Sequence, residues 1–205
     1  MKKLLVIFFS LSAAGAFADP QRVCANKDEA ALIAPLLAKG PVGPVSSAAI
    51  GLELKLNEAL VVSTYNHDQA IGVSGAHFAA IWNSLTTWGE SMILITKGGN
   101  VFEVTSAIRP GEPSKRSKFF NLQGSAGALG GHLRPDLVSA IYGLALPTKE
   151  GAVRGLMFFG EQGEGLFGVF VAAEGRQPTA DELAKFQATW SLLKSLPPVC
   201  AVPAG

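Results

Sequence analysis

The sequence predicts an α+β domain in which a largely antiparallel sheet of about seven strands is flanked by helices. Two observations predict it. From Ser91 onward the chain is a series of short apolar runs broken by turn residues, the pattern of a β meander with hairpin turns. An amphipathic helix precedes that series and a second one closes it, which is helix segregated from sheet rather than alternating with it.

Taken in order, Met1-Lys2-Lys3 is basic, Leu4 to Phe9 is apolar, and Ala16-Phe17-Ala18 has the small-x-small form of a cleavage site. Residues 1–18 are therefore expected to be a signal peptide cut after Ala18, which implies a periplasmic or secreted protein. The apolar run is well short of the roughly 20 residues that a spanning helix needs. No later segment is apolar for that length, so no membrane span is expected in the mature chain. Residues 19–49 are Ala- and Pro-rich; Ala30 to Ala38 reads as a short helix ended by Lys39-Gly40-Pro41, followed by a linker. Ala48 to Val62 mixes two periods, with Leu52, Leu54 and Leu56 alternating like a strand while Leu56, Ala59 and Leu60 fit a helix, and the choice stays open. Phe78, Ile81, Trp82 and Leu85 recur at helical spacing between Ala76 and Trp88, and Gly89 closes that helix. Strands are expected at Ser91 to Ile95, Val101 to Thr105, Lys118 to Gln123, Ala128 to Arg134, Ala140 to Leu146, Val153 to Phe159 and Leu166 to Ala172. Thr179 and Glu182 form a capping box ahead of a stripe of Leu183, Phe186, Trp190 and Leu193, and Pro197-Pro198 stops that helix. Residues 197–205 are a tail that carries Cys200.

Composition narrows the chemistry. Loss of residues 1–18 removes Lys2 and Lys3 and no acid, so 17 basic against 16 acidic residues becomes 15 against 16. A nearly neutral chain is a poor candidate for nucleic acid or for electrostatic membrane docking. The two cysteines, Cys24 and Cys200, lie near the ends of the mature chain and lack C-x-x-C spacing or an adjacent histidine, so they read as a disulfide staple. "GEGLFG" matches G-x-G-x-x-G at Gly163, Gly165 and Gly168, but it closes a hairpin and runs into a strand, where no helix N-terminus meets a pyrophosphate. "GVSGA" at Gly72 to Ala76 lacks the spacing of a nucleophile elbow. His67, His77 and His132 share no metal-ligand spacing; His67 reads as a surface residue and His77 as a helix flank.

His132 stands apart. It ends the stretch "FFNLQGSAGALGGHLR", Phe119 to Arg134, which is nearly free of charge and rich in glycine. If Leu129 to Arg134 is extended, Leu129, Gly131 and Leu133 face the core while Gly130, His132 and Arg134 face the other way. A histidine between a glycine, which leaves space beside the ring, and an arginine, which supplies a positive fork, suits a flat ligand with a metal at its centre and carboxylates at its rim.

The same stretch resembles the signature of haem-utilisation carriers of the HutX/ChuX type, half-length relatives of the HemS/ChuS proteins, which carry an aromatic-Phe-Asn-Leu-x-Gly segment followed by Gly-His-Ile. "IWNSLTTWGE" (Ile81 to Glu90), "VFEV" (Val101 to Val104), "LMFFGEQGEGLFGVFV" (Leu156 to Val171) and the closing helix fall in the same order, so the resemblance covers residues 50–196. It implies a β-rich half-unit that pairs into a homodimer of split-barrel appearance and binds haem b. Carried over, His132 matches the family's haem-associated histidine and is the candidate axial ligand. A second family histidine, on the strand before the "FE" hairpin, is replaced by Thr96 here, which leaves single-histidine coordination or a changed ligand. Arg134, with Arg116 and Lys118 from the basic run "PSKRSK", would face the propionates.

Three functions follow from the resemblance. The first is a periplasmic haem carrier that serves haem uptake alongside a haem receptor or the components of an ABC importer. The second is a non-catalytic interaction module that keeps the fold and has lost haem. The third is an enzyme of haem breakdown, which would need a redox centre that no motif in the sequence supplies. A binding protein is thus expected over an enzyme.

Overall fold

The structure is a computed structural model and describes residues 22–40, 43–97, 100–124, 129–148, 151–172 and 176–200. The proposed signal peptide, the Gly98-Gly99 turn and residues 125–128 of the glycine-rich stretch lie outside the described residues.

Three helices lead. In α1 (Lys27–Leu37) the Asn26 side chain accepts from the N–H groups of Asp28 and Glu29, and the Glu29 carboxylate accepts from the Asn26 N–H, a complete capping box. Helix α2 (Pro44–Leu54) starts on a proline, whose missing N–H costs nothing in a first turn, and ends on Lys55 in the left-handed region at φ 56°. Helix α3 (Glu58–Val62) follows, capped by Asn57. The segment with two competing periods is therefore helical, with a sharp turn at Lys55; its strand-like Leu52 is 79% exposed and contributes nothing to a core.

Strand β1 (Ala70–Ser74) passes through a 3-10 turn at Gly75–His77 into α4 (Phe78–Leu85), which buries the predicted stripe of Phe78, Ile81, Trp82 and Leu85. Gly89 (φ +83°) turns the chain into the sheet. There follow β2 (Glu90–Lys97), β3 (Asn100–Ala107), β4 (Gly111–Pro113), β5 (Phe120–Leu122), β6 (Gly131–Leu133), β7 (Val138–Thr148), β8 (Gly151–Gly160), β9 (Gly165–Phe170) and α5 (Ala180–Ser195). The α+β architecture is as predicted, with every pairing antiparallel. The strands form two sheets, a six-stranded one in the order β1-β7-β8-β9-β2-β3 and a three-stranded one in the order β4-β5-β6, and neither closes into a barrel among the described residues.

The larger sheet is covered on both faces. One face packs α4, α5 and the inner side of the small sheet around Phe78, Trp82, Phe120, Phe158 and Trp190. Trp88 Nε1 donates to Thr189 Oγ1 at 3.0 Å, a buried bond that fixes α5 beside the end of α4. The other face packs α3 and Val23 against Leu94, Tyr142, Met157 and Phe170. Cys24 and Cys200 are bonded at an S–S distance of 2.11 Å, and they tie the N-terminal segment to the C-terminal one beside Tyr142.

Candidate functional site

The small sheet positions the candidate histidine by register and alternation. Phe120 and Leu122 of β5 point into the core, where Leu133 of β6 also packs. Their neighbours Phe119, Asn121 and His132 therefore point outward, and Asn121 lies directly opposite His132 across the ladder. The His132 ring is exposed, with its centroid 5.7 Å from that of Phe119. Its Nδ1 is 2.8 Å from Asn121 Oδ1. With Nδ1 as the donor to the amide oxygen, the neutral ring would carry its lone pair on Nε2.

Arg134 lies on the same side, its guanidinium carbon 5.7 Å from the centre of the Phe119 ring. It is already engaged: Nε and Nη2 donate to the two carboxylate oxygens of Asp136 at 2.7 and 2.8 Å. Lys118 Nζ approaches the same carboxylate at 3.4 Å. The Arg134 hydrogen bond first, and Lys118 after it, hold the Asp136 carboxyl at about 2, below the usual carboxylate range. Beside this cluster is a hollow of about 470 Å³ between the start of α4 and the β4–β5 turn, lined by Phe78, Phe119, Phe120, Lys118 and Asp136. Among the described residues the cluster combines an exposed imidazole, an exposed aromatic face and two cations that share one carboxylate, a set that fits a carboxylate-bearing haem.

The family model for haem utilisation ChuX/HutX matches residues 71–189, a span that includes the whole of this cluster. The chain belongs to that family. It is 28% identical to the intracellular heme transport protein HutX of Vibrio cholerae over 76% of this chain and 79% of that one. Its fold is that of the heme-binding protein ChuX (TM-score 0.67, 17% identity, 80% of this chain and 99% of that one). It also matches holo-PhuS, a heme-binding protein of Pseudomonas aeruginosa (TM-score 0.63, 16% identity), over 96% of this chain and 52% of that one, in line with a half-length unit.

As a ChuX/HutX protein the chain is corrected in one respect: the Vibrio relative is named intracellular, which overturns the periplasmic or secreted location expected here. That expectation rested on the order of basic, apolar and small residues in 1–18, with the cysteine pair in agreement, and residues 1–18 lie outside the described residues.

The structure brings some of the predicted site residues together and separates others. His132, Arg134 and Lys118 converge around Phe119 and Asp136. Arg116 is exposed in the β4–β5 turn, its backbone N–H donating to Ser114 Oγ at 3.2 Å, and no hydrogen bond or ion pair among the described residues joins it to the cluster. Thr96 belongs to the other face of the large sheet: Ile93 and Ile95 face the α4 side, so Met92, Leu94 and Thr96 face α3. Its hydroxyl donates to the Gly165 carbonyl at 3.4 Å. The glycines act differently from expectation. A Cβ on Gly130 would meet Gly124 Cα at 3.0 Å, so this glycine permits two backbones to touch rather than clearing space beside the ring, and the open position is Gly131. Phe119, Asn121 and Asp136 were missed; the alternation that places His132 outward places Phe119 and Asn121 outward too, once β5 and β6 are known to pair.

Proposed function

We propose that this chain binds haem b reversibly as a carrier inside the cell, with His132 Nε2 as its axial ligand. The observation that carries the proposal is the Asn121–His132 hydrogen bond, which fixes the ring and leaves the outward nitrogen free to coordinate iron. Membership of a haem-utilisation family supports haem as the cargo. With Thr96 turned to the other face and hydrogen-bonded there, coordination by this chain is single-histidine. Phe119 supplies an apolar face for the porphyrin, and Arg134 and Lys118 supply the charges for its propionates. The carrier works as a homodimer and exchanges cargo with haem-uptake components such as an ABC importer; the exposed Phe102 and Val104 of edge strand β3 favour a paired form.

Absorbance titration of the protein with haemin, beside His132→Ala, tests the proposal. A saturable Soret shift at one haem per chain is expected, with affinity at least about tenfold weaker or an altered spectrum in the variant. No saturable shift, or one that the substitution leaves untouched, rejects His132 as the ligand and leaves a haem-free interaction module as the reading of the fold.

A further inference from the structure

The two cations that a carboxylate ligand would use are both taken. Arg134 presents its Nε and Nη2 edge to Asp136 in the paired geometry a ligand carboxylate would adopt, and Lys118 closes on the same group. The arrangement is built in locally. Asp136 sits two residues after Arg134 in the 3-10 turn Pro135–Leu137, which curls its side chain back on the guanidinium while the β4–β5 turn delivers Lys118. Asp136 and Lys118 also line the hollow next to Phe119, so the carboxylate borders open space beside the clamp.

We propose that Asp136 is the specificity-determining residue of this site, an internal carboxylate that occupies the Arg134–Lys118 clamp and exchanges with a carboxylate of the ligand. Binding then trades one carboxylate for another on the same cations. Affinity for acidic ligands is held down by the competitor and by its like charge, and release is assisted because Asp136 retakes the clamp. A porphyrin without free carboxylates gains nothing from the clamp and is indifferent to Asp136. The inference rests on the haem reading for its natural ligand, and it concerns the ligand's carboxylates rather than its iron.

Four probes separate the two: haemin, haemin dimethyl ester, metal-free protoporphyrin IX and its dimethyl ester, each titrated by tryptophan fluorescence quenching into wild-type protein, Asp136→Asn and Asp136→Ser. Both variants are expected to bind the two free acids about fivefold more tightly, with the esters unchanged and the gain shrinking as salt is raised. Acids bound equally or more weakly by both variants, an equal gain for the esters, or no binding of any probe to either variant overturns the proposal. If haemin binding ignores His132→Ala while protoporphyrin IX still responds to Asp136, the axial-ligand reading fails and the carboxylate exchange stands.

Discussion

Glu58→Gln should leave the protein unchanged in acid and make it more stable at neutral and alkaline pH. Glu58 opens α3 with its side chain mostly buried against Gly165 of β9, and its Oε1 has no hydrogen-bond partner among the described residues. Burial pushes its pKa from 4.5 up to about 7, partly offset by a hydrogen bond from the Gly165 backbone. Below pH 4.5 the folded and unfolded chains both hold the proton, and the group contributes no pH dependence. Between 4.5 and about 7 the unfolded chain releases it first, so stability falls as pH rises, and above that the full penalty applies. The gap between those two values is worth at most about 3 kcal/mol. Glutamine keeps the shape, accepts the same backbone bond and does not ionise. Guanidinium unfolding of both proteins from pH 4 to pH 8 reads the difference directly. Asp136 and Glu182, both held at about 2, titrate alike in the two proteins and cancel. The variant should match wild type at pH 4 and exceed it by up to about 3 kcal/mol at pH 8; stability curves that run parallel over the whole range would refute a buried, neutral Glu58.

Two further substitutions test the packing around the sheet. Gly75→Ala should destabilise by about 3 kcal/mol in denaturant melts, because a Cβ there meets the Val138 carbonyl, a backbone atom that cannot turn aside; a loss under about 1 kcal/mol would mean the turn relaxes. Thiol labelling of the unfolded protein should find no reactive cysteine before reduction and both Cys24 and Cys200 after it, with Cys24→Ser/Cys200→Ser less stable by no more than about 5 kcal/mol; labelling before reduction would refute the pairing.

Helices were legible in this sequence where two signals coincided. The Thr179–Glu182 capping box and the Phe186, Trp190, Leu193 stripe lie where they were expected, as does the α4 stripe from Phe78 to Leu85. Between Ala48 and Val62 the period failed because α2 is amphipathic only weakly: Leu52 faces water and Ser47 and Gly51 face inward, so apolar spacing carried no information about the buried side. Strands β1 and β4 escaped for another reason. Ala70–Ser74 is an AIGVS segment whose alternating Ile71 and Val73 are interrupted by a central glycine, and Gly111–Pro113 is a three-residue edge that ends on proline, so the strand signal is broken in one and too short in the other. Both exist because a partner was waiting, β7 for one and β5 for the other.

Only part of the candidate cluster was legible in the sequence, and the residues missed are the ones that hold the others in place. His132 and Arg134 were singled out by strand alternation and by the family resemblance, and Lys118 by its basic run, and the structure places the three near one another. Asn121 and Asp136 act through partners, and the pairing of Asn121 with His132 exists only after β5 and β6 have found their register across the chain segment between them. The small sheet fixes that register by burying Phe120 and Leu122, and on its other face Phe119 and His132 are exposed while Asn121 and Arg134 are half-buried. The imidazole is thus oriented without being enclosed, and the arginine is poised without being free. Under the proposed reading, an exposed imidazole and a clamp already holding a carboxylate suit a ligand that is taken up by exchange and given back.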